Sequence, residues 1–210
     1  MRFTKTLASA LALAAVSAVP VAAKDLNSVG ISVGLLGNPF FVATIKGIED
    51  AAKKINPNVK VTSVSADYDL NKQVSQIDSF VAAGVDIIML NAVDAQAIGP
   101  AVKRATDAGV IVAAFDVSAP GATVTVMTNN VQAGEKACAY LAEKLGGKGD
   151  IVIVNGPSSS SILDRVKGCK DELAKHPDMK ILSDDQNAQG SRDGGLNVGQ
   201  TLLTLSLIHI

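Results

Sequence analysis

Residues 84–91 read Gly-Val-Asp-Ile-Ile-Met-Leu-Asn, a mostly apolar run that begins at a glycine and ends in an asparagine. A short run of this kind, rich in isoleucine and valine, predicts a strand that is buried on both faces. The glycine is typical of the position just past the end of a helix, so a helix should precede the strand. The stretch therefore indicates one helix and one strand of a parallel sheet, with a polar side chain at the strand's carboxyl end.

The same alternation of apolar strand and amphipathic helix repeats along the chain. Strands are predicted at residues 29–35, 59–66, 86–91, 111–116, 123–128, 151–155 and 179–183. Apolar helix faces are formed by Phe41, Ile45, Ile48, Ala52 and Ile55, by Val74, Ile77 and Val81, and by Ile98, Val102 and Ala105. Helices should end at Asn56-Pro57, Gly84, Gly109 and Gly146-Gly147. This order predicts an α/β fold with parallel sheets covered by helices on both faces.

Composition argues against several classes of function. The 210 residues are 48% hydrophobic with a net charge of −1, so the chain can bury a core and has no positive surplus for nucleic acid. Gly30, Gly34 and Gly37 do not follow the dinucleotide-binding spacing, and His176 precedes a proline at a predicted helix end. Two separated cysteines and no paired histidines cannot form a usual zinc site. The sequence therefore predicts a protein that is not an enzyme, with no cofactor and no metal.

Residues 1–23 are predicted to be a cleaved secretory signal peptide. Arg2 and Lys5 precede an apolar run at 7–21, and Val-Ala-Ala at 21–23 provides the small residues that a signal peptidase needs. The alternative is a transmembrane anchor, but the run is shorter than the roughly 20 apolar residues that span a bilayer. Because no cysteine lies near the cleavage site, we expect a soluble periplasmic protein rather than a lipid-anchored one.

Polar side chains stand at or just after the carboxyl ends of five predicted strands, namely Asn38, Asp67, Asn91, Asp116 and Asn155. In an open α/β sheet these ends line the crevice where ligands bind. Amide and carboxylate groups suit a ligand with many hydroxyl groups, and Phe40 and Phe41 add apolar surface for the C–H face of a sugar ring. The alternative is that the asparagines and aspartates cap the helices that follow.

Several short motifs resemble those of the ribose-type periplasmic sugar-binding proteins, over residues 28–204. They are Gly37-Asn38-Pro39-Phe40-Phe41, residues 84–88 leading to Leu90-Asn91, Phe115-Asp116, Asn129-Asn130-Val131 with Gly134, Arg165 before Gly168, and Gly195-Leu196-Asn197. The resemblance implies the two-lobed type I periplasmic-binding-protein fold, with parallel doubly wound sheets. We expect the N-terminal lobe at 24–128 and a partial C-terminal lobe at 129–204.

The resemblance also implies a function. It predicts a monomeric periplasmic protein that binds a sugar or polyol between its lobes and delivers it to an ABC permease in the inner membrane by hinge closure. Two alternatives share the fold: the effector-binding domain of a sugar-responsive transcriptional regulator, and a chemoreceptor ligand carrier. A regulator would carry a DNA-binding helix-turn-helix where this chain has the predicted export signal.

Matching positions imply which residues contact the ligand. From the first lobe these are Asn38, Phe40, Phe41, Asn91 and Asp116, and from the second lobe Arg165. A guanidinium group suits this role because it donates to several oxygens without changing its charge. The alternative is that Arg165 is an exposed arginine at a helix start that pairs with Asp164 or Asp171.

Two departures from the family pattern concern the ligand. Val117 stands where ribose binders have an arginine, and Gly190 beside Ser191 stands where they place an aromatic residue. The pocket should therefore lack a charged donor and a stacking ring. We expect a pentose, hexose, polyol or related ligand other than D-ribose.

The two cysteines and the C-terminus complete the expectations. Cys138 and Cys169 lie on successive predicted helices and form either a disulfide, as an oxidising compartment permits, or two buried thiols. Residues 205–210, Leu-Ser-Leu-Ile-His-Ile, match the translation of a common sequencing adapter and are interpreted as an artefactual tail on a truncated second lobe. The alternative is a genuine hydrophobic strand. A truncated chain should lack half of the expected ligand contacts, expose unpaired sheet edges and fold poorly.

Overall fold

Two parallel sheets organise residues 25–204, which are the part of the chain that this computed structural model describes. The predicted signal peptide at 1–23 and the predicted tail at 205–210 lie outside the described residues. All seven predicted strands are present, each followed or preceded by helices as expected. Within residues 25–204, no helix is long and apolar enough to cross a membrane.

The first sheet has five parallel strands in the order β2-β1-β3-β4-β5. Its elements are β1 (Ser28–Val33), α1 (Pro39–Ile55), β2 (Lys60–Ser65), α2 (Leu70–Ala82), β3 (Ile87–Leu90), α3 (Gly99–Asp107), β4 (Ile111–Phe115) and β5 (Val124–Val126). The order of strands reverses between β1 and β3. In sheets of this type, such a reversal opens a crevice beyond the carboxyl ends of the two strands.

The second group of elements contains two parallel strands, β6 and β7. It consists of α4 (Asn130–Lys144), β6 (Lys148–Asn155), α5 (Ser160–Leu173), β7 (Asp178–Asn187) and α6 (Arg192–Thr204). β7 is longer than the predicted strand at 179–183. The polar residues 184–187 look like a loop, but backbone pairing with β6 continues through them after two register shifts.

Helices cover the first sheet on both faces, as predicted. On one face, Phe41 and Ala52 of α1 pack with Val29, Ile31 and Val33 of β1. On the other face, α2 and α3 cover a larger cluster that includes Ile77, Phe80, Ile88, Leu90, Ile98, Val102, Ala105, Val112 and Ala114. Alternate residues of the strands thus point to opposite helix layers, which is why the strands are apolar throughout.

The predicted apolar face of α1 includes one residue, Ile55, that does not pack against the core. Ile55 is 72% exposed, whereas Ile45 and Ile48 pack against the core. Ile55 is the last residue of the helix, so the apolar stripe extends past the part of α1 that contacts the sheet. The predicted helix ends at Gly84 and Gly109 are confirmed. Gly84 lies just beyond α2 with a φ angle of +67°, and Gly109 lies just beyond α3 with a φ angle of +81°.

A buried glutamine connects α2 to the end of β3. Gln73 is fully buried; its Nε2 donates to Ser32 Oγ (3.0 Å) and to the carbonyl oxygen of Asn91 (2.9 Å). Its Oε1 accepts from the backbone nitrogen of Val93 at 2.9 Å. Because three groups in the interior depend on this one side chain, it determines the path of the loop that follows β3.

Replacing Gln73 with methionine should lower the free energy of unfolding by about 2–4 kcal/mol, because the variant keeps the shape but leaves buried donors and acceptors without partners. Urea denaturation followed by circular dichroism measures the change. The matched control is Asn71→Met on the exposed side of α2, which should change stability by less than about 0.5 kcal/mol. Equal stabilities for the two variants would contradict the role given to Gln73.

The second group is held together by a close contact between α4 and α5. A Cβ atom added at Gly134 would lie 2.0 Å from the carbonyl oxygen of Arg165, and one added at Gly168 would lie 1.9 Å from that of Val131. The two backbones therefore touch at these glycines. Next to this contact a disulfide joins Cys138 to Cys169, whose Cα atoms are 5.1 Å apart.

Candidate functional site

The carboxyl edge of the first sheet faces the second group across a crevice. Hydrogen bonds cross it at two places. Asn38 Nδ2 donates to the carbonyl oxygen of Gly190 (3.2 Å), and both the backbone nitrogen (3.2 Å) and the hydroxyl group (3.4 Å) of Ser118 donate to Ser160 Oγ. The crevice is the space bounded by the loops after β1, β2, β4 and β7 and by the start of α5. Residues predicted to bind ligand meet here from both sides.

Asp116 is the acidic group of the crevice. It follows β4 directly and is half-buried, and Asn91 Nδ2 donates to its Oδ2 at 3.0 Å. Burial raises the pKa of Asp116 above its usual value, while the hydrogen bond from Asn91 and the positive charge of Arg165 oppose that rise. Asn91 itself is 3% exposed, so its main effect here is to orient the carboxylate.

Arg165 is the basic group that faces Asp116. It lies on α5, is exposed, and acts electrostatically on Asp116 from the second group of elements. The alternative partner Asp171 pairs instead with Lys167. A carboxylate that follows β4 and a guanidinium of α5 thus lie near each other across the crevice, where a ligand could donate to the first and accept from the second.

Asn38 combines the two predicted roles of a helix cap and a crevice residue. Its Oδ1 accepts from the backbone nitrogen of Phe40 at 2.9 Å and thereby caps α1. Its Nδ2 reaches across to Gly190, and its side chain lies near enough to the hydroxyl group of Tyr68 to lower the pKa of that phenol. Contact of Asn38 with a ligand stays a prediction.

The two phenylalanines at the start of α1 have different environments. Phe41 is only 4% exposed and lies in the core beside β1, whereas Phe40 is 50% exposed. Their ring centroids are 5.3 Å apart in an edge-to-face arrangement. Phe40 is therefore the accessible ring of the pair and Phe41 supports it from the core side, while contact of either ring with a ligand stays a prediction.

A cavity of about 960 Å³ adjoins the crevice and runs along β6 between α4 and α5. Asn38, Arg165, Asn155 and Gly190 line it, together with mostly apolar side chains of α4, β6 and α5. Asp116, Asn91, Phe40 and Phe41 are not among its lining residues. The predicted site thus divides into a polar part around Asp116 and a larger apolar part beside β6.

Strained backbone concentrates around the crevice. The non-glycine residues with positive φ among those described are Asp67 (53°), Tyr68 (56°), Asp116 (61°) and Gln189 (55°). All of them lie in the loops after β2, β4 and β7. Such conformations persist only where surrounding contacts enforce them, and they cluster at ligand sites.

One residue of the crevice region, Tyr68, did not enter the predicted site, and a second, Asn155, was predicted to line the crevice but not to contact the ligand. Tyr68 follows Asp67 in the loop after β2, and its ring and hydroxyl group contact residues on both sides of the crevice. Asn155, at the end of β6, has a buried Oδ1 with no hydrogen-bond partner among the described residues. The place of Asn155 at the end of a strand predicted its position, whereas no local pattern marks Tyr68. The carboxylate of Asp67 accepts a hydrogen bond from Ser65 Oγ and forms an ion pair with Lys72.

A doubly wound parallel sheet that faces a second parallel pair of strands across a polar crevice is the α/β architecture that the sequence predicted. The family comparison agrees, since the model of the periplasmic binding protein domain matches residues 29–208. The chain belongs to this family, and its fold is that of the type I periplasmic binding proteins.

Relatives with known names are similar over most of this chain. The ribose import binding protein of Bacillus subtilis is 37% identical over 180 residues, covering 84% of this chain and 57% of that protein. The ribose import binding protein of Escherichia coli is 31% identical over 207 residues, covering 97% and 68%. Both relatives are named as binding proteins rather than as enzymes.

Solved structures show the same fold. The myo-inositol-binding protein of Caulobacter, bound to myo-inositol, has a TM-score of 0.77 and 30% identity, and the match covers 89% of this chain and 64% of that chain. An ABC transporter solute-binding protein from Burkholderia graminis in complex with D-arabinose has a TM-score of 0.78 and 27% identity, covering 88% and 64%. This chain therefore spans 57% of the Bacillus relative and 64% of each of these structures.

Proposed function

We propose that this protein is the substrate-binding component of a bacterial ABC importer and that it binds a sugar or a polyol without transforming it. The observation that carries the proposal is that the half-buried carboxylate of Asp116, held by Asn91, lies near enough to Arg165 of α5 for the guanidinium charge to lower its pKa. Neighbouring hydroxyl groups of one ligand can donate to the carboxylate and accept from the guanidinium at the same time. The relatives that are named for ribose import and the structures with bound myo-inositol and D-arabinose support this ligand class.

Binding should work by hinge closure. The three hydrogen bonds that cross the crevice contribute about 1 kcal/mol each, so they favour closure only weakly by themselves. A ligand that contacts both Asp116 and Arg165 interacts fully only when the two sides approach. The closed state is therefore selected by ligand, and the permease recognises that state.

We propose that the protein is exported to the periplasm and that its signal peptide, residues 1–23, is cleaved on export. The disulfide between Cys138 and Cys169 supports export, because such bonds persist in oxidising compartments. The family name, periplasmic binding protein, also supports it. We propose a monomer whose partners are the small ligand and the inner-membrane permease, with no nucleic acid.

The ligand that we propose is a sugar or polyol other than D-ribose. Val117 stands where ribose binders have an arginine, and it is 1% exposed within the core cluster beneath α3. It can donate no hydrogen bond to a ligand. Gly190 likewise provides no stacking ring from the second group. Both differences change contacts that the resemblance implies for D-ribose.

A thermal-shift panel of pentoses, hexoses and polyols, measured on the protein expressed from its complete gene, tests this proposal. One ligand at about 100 times its Kd should stabilise the protein by about 2.7 kcal/mol and raise Tm by several degrees. D-ribose should give a smaller shift than the best ligand. No shift with any compound would refute sugar binding, and a largest shift with D-ribose would refute the ligand assignment alone.

A further inference from the structure

Tyr68 occupies a place in the crevice that two glycines leave open. On its own side of the crevice, a Cβ atom added at Gly34, just after β1, would lie 2.4 Å from Cε1 of the Tyr68 ring. On the other side, a Cβ atom added at Gly190 would lie 2.8 Å from the Tyr68 hydroxyl oxygen. Only residues without side chains at these two positions allow the tyrosine to extend across the crevice.

The surroundings of the Tyr68 hydroxyl group are those of the predicted ligand site. Its side chain is half-buried, which raises the pKa of the phenol above its usual value. The side chain of Asn38 opposes that rise, and the negative charge of Asp116 adds to it. The hydroxyl group is thus close to two of the residues predicted to bind ligand.

The backbone of Tyr68 is also costly to maintain. Its φ angle of 56° lies in the left-handed region, which is uncommon for a bulky residue. A conformation of this kind, held by contacts on both sides, is typical of functional positions. Packing alone does not require it, because Tyr68 is not part of the apolar clusters that stabilise the first sheet.

We propose that Tyr68 is a specificity-determining residue of the crevice: its ring provides, from the first sheet, the aromatic wall that Gly190 does not provide from the second group, and its hydroxyl group hydrogen bonds with the ligand. The inference rests on the proposed function, because it names a wall of the same site. It predicts a ligand that presents both a C–H face and an adjacent hydroxyl group to this wall, as ring-form sugars and cyclic polyols do.

The aromatic composition of the chain allows Tyr68 to be observed directly. The sequence has two tyrosines and no tryptophan, and the other tyrosine, Tyr140, is 60% exposed on α4. In a Tyr140→Phe background, an emission change that disappears on the further substitution Tyr68→Phe reports on Tyr68. The probes are D-ribose, D-xylose, D-allose, xylitol and myo-inositol, added to the protein expressed from its complete gene.

The probe with the largest thermal shift should change the tyrosine emission of the Tyr140→Phe variant. The affinity of the protein for this probe, measured by calorimetry, should fall about tenfold in the Tyr68→Phe variant, which loses only the hydroxyl group. It should fall further in the Tyr68→Ala variant. Tyr140→Phe, the matched control, should bind the probe as the unmodified protein does.

The ratio of affinities between two probes separates specificity from a simple latch. If Tyr68 selects the ligand, Tyr68→Phe changes that ratio; if Tyr68 only holds the two sides together, all affinities fall by one factor and the proposal is overturned. Unchanged affinities in both Tyr68 variants would also overturn it while leaving sugar binding intact. Absence of binding by the unmodified protein would instead remove the proposed function and this inference with it.

Discussion

Gly168→Ala should destabilise the second group of elements by about 4 kcal/mol or more. The new Cβ atom would lie 1.9 Å from the carbonyl oxygen of Val131, which belongs to the backbone of α4 and cannot rotate away. The two helices would have to separate, and the separation would displace Arg165, which lies one turn before Gly168 on α5. Thermal unfolding and the Tm shift with the best ligand should both report the loss.

Gly47→Ala is the matched control for this substitution. Gly47 lies within α1, is exposed, and has no atom within 4 Å of the position that a Cβ would occupy. Alanine there should stabilise the protein by about 0.5–1 kcal/mol, because it reduces the freedom of the unfolded chain and favours the helix. Similar effects of the two substitutions would show that α4 and α5 are not in backbone contact at Gly168.

Asp116→Ala should weaken binding of the best ligand by about a hundredfold or more, because charge-assisted hydrogen bonds contribute about 1.5–3 kcal/mol each and the variant loses every bond to this carboxylate. Isothermal titration calorimetry gives the affinity directly. Asp107→Ala, an exposed residue of α3, removes the same charge away from the crevice and should leave affinity unchanged. A variant at position 116 with unaltered affinity would exclude Asp116 from the ligand site.

The pH dependence of binding follows from the same residue. Burial raises the pKa of Asp116, so the folded, ligand-free protein takes up this proton at a higher pH than the unfolded chain does. Its contribution to stability therefore increases as pH falls through the raised pKa. Ligand hydroxyl groups favour the charged carboxylate, so affinity should decrease over the same range. The Asp116→Asn variant should lose the contribution of this residue to the pH dependence of both stability and affinity.

The fold could be predicted because its main signal is local. Continuous apolar runs such as residues 87–90 place the strands, and glycines with positive φ such as Gly84 end the helices. The errors arise where the signal depends on distant contacts. Ile55 continues the apolar stripe of α1 but has no sheet to cover, and residues 184–187 are polar yet pair with β6.

The candidate site was predictable only in part, because a strand's end marks a position without stating what its side chain contacts. Asn38 caps a helix and also crosses the crevice. Gly190 stands where ribose binders place an aromatic residue, which indicated that the site lacks a stacking ring there. Sequence alone could not show that Tyr68, 122 positions earlier, extends toward the same space. Likewise the spacing of Cys138 and Cys169 left the disulfide open until their Cα atoms were placed 5.1 Å apart.

The left-handed residues of the crevice set stability against binding. Asp67, Tyr68, Asp116 and Gln189 each hold a conformation that costs about 1 kcal/mol or more for a residue with a side chain. Their sum, about 4 kcal/mol, is a substantial fraction of the roughly 5–15 kcal/mol that stabilises a typical domain. Glycine at position 68 or 116 would relieve the cost but remove a side chain that we propose to face the ligand. Selection for a more robust fold and selection for recognition therefore act in opposite directions at the same loops.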